Sequence, residues 1–147
     1  MTNKLLDLQD DPAGQENMKR FVASVRKLNL PNKPILIVED DKTVRENLQE
    51  FLECEGFSVS TASNGKEGLN LIREFKGRCL VLLDLQMPVM TGEQLLDELL
   101  QEPDPEVAAA SVVIITARVE PVNYEVLGFL RKPLDLDLLL MTVKKFL

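Results

Sequence analysis

Val81-Leu82-Leu83-Asp84-Leu85-Gln86-Met87-Pro88 is an apolar run that ends in one aspartate and then turns. A run of this kind reads as a strand covered on both faces, as in a parallel sheet. In open parallel α/β sheets, ligands and chemistry gather at the carboxyl ends of the strands. Asp84 therefore reads as a site residue. A simple turn role before Pro88 is the plainer alternative, but it does not explain why the aspartate follows four apolar residues.

Outward from this strand the chain alternates. Ile35-Leu36-Ile37-Val38 is a β-branched run and reads as the first strand. Asp41 or Thr43 is placed to cap a helix carrying Val44, Leu48, Phe51 and Leu52 on one side. Glu55-Gly56 ends that helix, and Phe57 to Ala62 reads as the second strand. Ser63-Asn64-Gly65 turns into a helix marked by Leu69, Ile72 and Phe75, which Gly77 closes, and Cys79 to Leu83 is the third strand. Thr91-Gly92-Glu93 opens a helix bearing Leu95, Leu96, Leu99 and Leu100, broken by Pro103 and Pro105. The fourth strand is expected over Ser111 to Thr116, a short fifth over Val126 to Leu130, and a last helix over Leu136 to Phe146. Strands alternating with helices imply a doubly wound five-stranded parallel sheet with helices on both faces. The helix leucines are read as core.

The chain of 147 residues suffices for one domain with a substantial core. A net charge of −7 argues against a nucleic-acid-binding face. Residues 1–33 carry +2 and residues 34–147 carry −9, which divides the chain into an N-terminal extension and a main domain over those ranges. The extension holds Met18, Phe21, Val22, Val25 and Leu28 at helical spacing, an amphipathic helix that must pack on something to persist. Its own domain's surface, a partner, or a homodimer through residues 15–30 are all open. The absence of histidine removes imidazole acid–base and phosphorelay chemistry from the chain itself. No membrane span or signal-peptide core is apparent. Cys54 and Cys79 are read as two reduced, buried thiols, which fits a cytoplasmic protein.

Three strand ends are polar: Glu39-Asp40-Asp41, Asp84 and Thr116, with Lys132 after the fifth strand and before Pro133. Carboxylates that converge raise one another's pKa unless a cation lies among them. An all-oxygen set of few ligands suits Mg²⁺, and a lysine with a hydroxyl suits a phosphoryl group. Taken singly, the acidic run could be a solvated capping loop, Thr116 a strand-end hydroxyl and Lys132 a surface lysine.

Together, these segments resemble the receiver domain of bacterial two-component response regulators. The resemblance rests on Ile35–Asp41, Leu82–Gly92, Ile114–Ala117 and Phe129–Leu134, and it covers roughly residues 34–147. It implies a sheet order of 2-1-3-4-5 and a phosphoacceptor role for Asp84, with a sensor histidine kinase or phosphotransfer protein as donor. It also implies Mg²⁺ held by Glu39, Asp40, Asp84 and the backbone carbonyl of Gln86. Thr116 and Lys132 would contact the phosphoryl oxygens, Phe129 would be the switch aromatic, and the Lys132–Pro133 bond would be cis. Asp41 is assigned a cap. The chain departs from the family between Thr116 and Lys132. That segment is short and contains Pro121, so the helix there is expected to be short, irregular or absent, and the usual signalling face reduced. Arg118 is expected to prolong the phosphoryl state.

The expected role is a stand-alone or excised receiver acting on an unidentified downstream protein. The alternative is a phosphorylation-independent interaction or dimerisation module on the same fold. An aspartyl phosphohydrolase is disfavoured, because Gln86 stands where a general acid is needed.

Overall fold

The computed structural model describes residues 33–117 and 124–147, within a compact unit spanning Lys33–Leu147. Its strands are β1 (Ile35–Val38), β2 (Val59–Ala62), β3 (Leu80–Asp84), β4 (Ser111–Thr116) and β5 (Gly128–Arg131). Its helices are α1 (Lys42–Cys54), α2 (Gly65–Glu74), α3 (Gly92–Leu100), the short α4 (Pro105–Ala108) and α5 (Leu136–Phe146). All strand pairs are parallel, in the order β2-β1-β3-β4-β5.

Alternation along the strands separates two apolar layers. Leu36, Val38, Val81, Leu83, Val112 and Ile114 meet Leu69 and Ile72 of α2 and Leu95, Leu96 and Leu99 of α3. Ile35, Ile37, Leu80, Leu82, Val113 and Ile115 meet Leu48 and Leu52 of α1 and Leu139 and Val143 of α5. The three central strands are therefore apolar on both sides, which is why they read as unbroken runs rather than as alternating ones.

Helix starts follow local chemistry. Asp41 caps α1 by accepting from the Val44 N–H at 3.1 Å. Asn64 caps α2, and Glu67 reaches back to the Ser63 N–H at 2.7 Å. Thr91 and Gln94 form a reciprocal capping box on α3. At the far end of α2, Gly77 has φ +74°, and a Cβ there would lie 2.0 Å from the Glu106 carbonyl oxygen. Only glycine allows both that turn and that approach.

The structure corrects several expectations. Strands β2, β3 and β5 are displaced by one or two residues, and β3 includes Asp84 itself. Pro105 opens α4 rather than merely ending α3, since proline suits a first helical turn. Cys54 is exposed, because the last residue of α1 faces solvent, whereas Cys79 is buried. Leu100, Leu136 and Leu138 are exposed, not core. Between β4 and β5, Ala117 and residues 124–127 are not helical. The remainder of that connection, Arg118 included, lies outside the described residues, as does the expected N-terminal helix.

Candidate functional site

Register brings the polar residues to one edge. Val38 pairs with Leu83, so Glu39 follows beside Asp84. Asp84 pairs with Ile115, so Thr116 comes one residue further along β4. Thr116 pairs with Arg131, which places Lys132 just beyond, and the Lys132 N–H donates to the Thr116 carbonyl at 2.9 Å. Each of these side chains leaves the sheet at a strand's carboxyl end, where no further strand residue covers it.

Glu39, Asp84 and Thr116 are the buried polar residues among the described ones, at 2%, 4% and 2% exposure. Lys132 Nζ lies 2.8 Å from Glu39 Oε2 and 3.5 Å from Asp84 Oδ2. The Gln86 N–H donates to Asp84 Oδ1 at 3.2 Å, and the Asp41 N–H to Glu39 Oε1 at 3.3 Å. Carboxylate oxygens of Glu39, Asp40 and Asp84 lie within 4.8 Å of one another. The Lys132–Pro133 bond is cis.

Burial pushes the Asp84 carboxyl above its usual range, and the Gln86 N–H and the Lys132 charge only partly oppose this. Burial does the same to Glu39. There the Lys132 hydrogen bond opposes the shift and the Asp84 charge adds to it. Lys132 is itself half-buried, which works against its charge. Its bond to Glu39 and the Asp84 charge outweigh that, and its pKa is raised. The edge thus gathers three carboxylates against one ammonium, an excess of negative charge that a hard divalent cation would balance. The donor set is oxygen only, so it fits Mg²⁺ in chemistry and in number.

Glu39, Asp40, Asp84 and Lys132 are brought together as the sequence implies, with Thr116 beside them on the next strand. Phe129 is 57% exposed on β5 and stands outside this cluster. Asp41 serves the helix cap.

Sequence reasoning missed Arg45. Its guanidinium Nη1 donates to the backbone carbonyls of Glu39 at 2.9 Å and Asp40 at 3.2 Å. A signal was available. The first turn of α1 has no acidic residue, and cations there oppose the helix dipole, so a cation in this place needs another partner. The loop after Asp84 also holds Val89 at φ +69° and 79% exposed, a strained setting for a β-branched residue. The Met90 carbonyl in the same loop accepts from the Gly65 N–H at 3.1 Å.

A family profile for the response regulator receiver domain matches residues 35–144. The chain is 41% identical over 95 residues to the transcriptional regulatory protein CpxR homolog of Haemophilus influenzae, covering 64% of this chain and 38% of that protein. It is 31% identical over 119 residues to the probable transcriptional regulator ycf29 of Porphyra purpurea, covering 77% of this chain and 56% of that one. The chain thus spans about half the length, or less, of these curated relatives. Among solved structures, the chemotaxis protein CheY4 of Vibrio cholerae superposes with a TM-score of 0.68 at 25% identity. That match covers 78% of this chain and 98% of CheY4.

Proposed function

The chain belongs to the response regulator receiver family, and on that premise we propose that Asp84 is the phosphoacceptor of a two-component switch. One observation carries the reading. Asp84 is almost fully buried at a strand end, with an ammonium 3.5 Å away and two further acidic side chains within 4.8 Å. A solvated capping loop has no need of that burial.

In this reading an Asp84 carboxylate oxygen attacks phosphorus in the phosphohistidine of a sensor kinase or phosphotransfer protein. The new O–P bond forms as the N–P bond breaks, and the imidazole leaves with its electron pair. Lys132, already 3.5 Å from Asp84 Oδ2, pairs with a transferred oxygen, and Thr116 on the adjoining strand donates to another. Glu39, Asp40, Asp84 and the Gln86 carbonyl would hold Mg²⁺, which supplies charge neutralisation at the phosphoryl oxygens. Phosphorylation then shifts a two-state equilibrium that a downstream protein reads. Exposed Leu127, Phe129, Leu138 and Met141 offer apolar contact area for such a partner. The setting is cytoplasmic, where histidine kinases present their phosphohistidine. Among the described residues, no helix is long and apolar enough to cross a membrane.

Intact-mass analysis with acetyl phosphate and Mg²⁺ tests this reading. One phosphoryl adduct is expected, absent from Asp84→Asn and absent without Mg²⁺. No adduct, together with no detectable Mg²⁺ binding, overturns it.

A further inference from the structure

We infer that Arg45 is a positioning residue for the cation site, acting through the backbone of the β1–α1 loop rather than through any carboxylate. The inference rests on the proposed Mg²⁺-dependent reading of the Asp84 edge.

Two observations carry it. First, one guanidinium nitrogen bonds two consecutive carbonyls, those of Glu39 and Asp40. These residues supply two of the three carboxylates gathered there. Second, Arg45 leaves the carboxylate oxygens alone: Lys132 and the Asp41 N–H are what meet the Glu39 side chain. A cation that binds peptide oxygens fixes the loop while sparing the atoms a metal would use. Partners that orient metal ligands govern affinity although they never touch the metal.

Two effects of removing Arg45 have opposite signs. Loss of a positive charge beside a cation site strengthens cation binding. Loss of the carbonyl clamp weakens it, because Glu39 and Asp40 must then be ordered by the ion itself. The clamp should dominate, since ligand-orienting contacts are worth roughly 10–100-fold in metal affinity, whereas Arg45 is only partly buried and its charge is partly screened by solvent and salt.

The test is calorimetric titration of Mg²⁺ into the full chain, wild type beside Arg45→Gln and Arg45→Lys. Arg45→Gln is expected to bind about tenfold more weakly. Arg45→Lys, which keeps the charge but not the planar donor, is expected to fall between. Acetyl phosphate labelling of both variants should need more Mg²⁺ yet reach a rate within about twofold of wild type at saturation, because no reacting group has changed. Unchanged or tighter binding by Arg45→Gln overturns the inference, as does a labelling rate that saturating Mg²⁺ does not restore. Arg45→Lys carries the same test if Arg45→Gln fails to fold. A wild type that binds no Mg²⁺ overturns this inference, and if acetyl phosphate also leaves no adduct it overturns the phosphoacceptor reading with it. A wild type that binds beside indifferent variants overturns this inference alone.

Discussion

Gly92→Ala sets two forces against each other at the site. Gly92 opens α3, where alanine is favoured over glycine by about 1 kcal/mol on helix propensity. Yet a Cβ at Gly92 would lie 2.4 Å from the Asp84 carbonyl oxygen and 2.8 Å from Leu85 Cα. Both are backbone atoms, with no rotamer to yield. Contacts under 3.0 Å are essentially never seen, so α3 must retreat from β3 by at least ~0.6 Å, the shortfall from 3.0 Å. That retreat also stretches the bond from the Gly92 N–H to the Leu85 carbonyl, now 3.1 Å. Overpacking of this kind costs about 3 kcal/mol, so the net loss is about 2 kcal/mol after the propensity gain. For a domain of this size, that lowers Tm by roughly 6–12 °C. Far-UV circular dichroism is the suitable probe, because the chain has no tryptophan and one tyrosine. Gly128→Ala is the control. Nothing lies within 4 Å of a Cβ there and its φ is ordinary, so it should be neutral or raise Tm slightly. If Gly92→Ala melts at or above wild type, the close approach of α3 to the Asp84 peptide does not govern this helix start, and the reasoning fails.

Other outcomes follow from the same geometry. Lys132→Ala leaves Glu39 and Asp84 buried without their cation and should cost about 1–3 kcal/mol, below the figure for a fully buried pair because Lys132 is partly exposed. The folded-state pKa of both carboxyls is raised, so the stability they contribute is present in acid and lost as pH rises through those values. Melts of Lys132→Ala from pH 4 to 7 should therefore show a steeper decline with rising pH than wild type, and parallel profiles would count against the pairing. Burial pushes the Cys79 thiol up to about 11, so its contribution is present below the unfolded thiol range and lost as pH climbs toward 11. In native protein at neutral pH, iodoacetamide should add one carbamidomethyl group, at exposed Cys54, with Cys79 labelled only on unfolding; rapid double labelling of folded protein would contradict this burial. Tyr124→Phe removes a 2.7 Å bond to Asp97 Oδ1 and should cost about 0.5–1 kcal/mol, with Asp97→Ala adding little more in a double-mutant cycle.

The sheet was legible because its central strands are apolar on both faces, and Ile35–Val38 and Leu80–Leu83 cannot easily be anything else. The gathering of Glu39, Asp84, Thr116 and Lys132 was legible because each stands at or just past the end of an apolar run, while the roles proposed for them came only with the family resemblance. What escaped depended on orientation rather than pattern. Leucine at helical spacing does not tell that Leu138 faces solvent while Leu139 is buried. The exposure of Cys54 was lost for the same reason, since a helix's last turn can point either way. For Arg45 the sequence offered a cation in a helix first turn that needed a partner, but not which partner, because peptide oxygens are not distinguished by sequence.

The bond from Lys132 to Glu39 joins positions 93 residues apart, and β5 is an edge strand of only four residues. Glu39, just past β1, and Asp84 on β3 come from the first half of the sheet, whereas their ammonium follows β5, its last strand. The polar edge is therefore also a fastener, drawing β5 and α5 onto a sheet that would otherwise present uncompensated charge. Anything that draws Lys132 away from Glu39 loosens β5 and α5 as well as rearranging the site. In that sense α5 is tied to the polar edge by a single side chain.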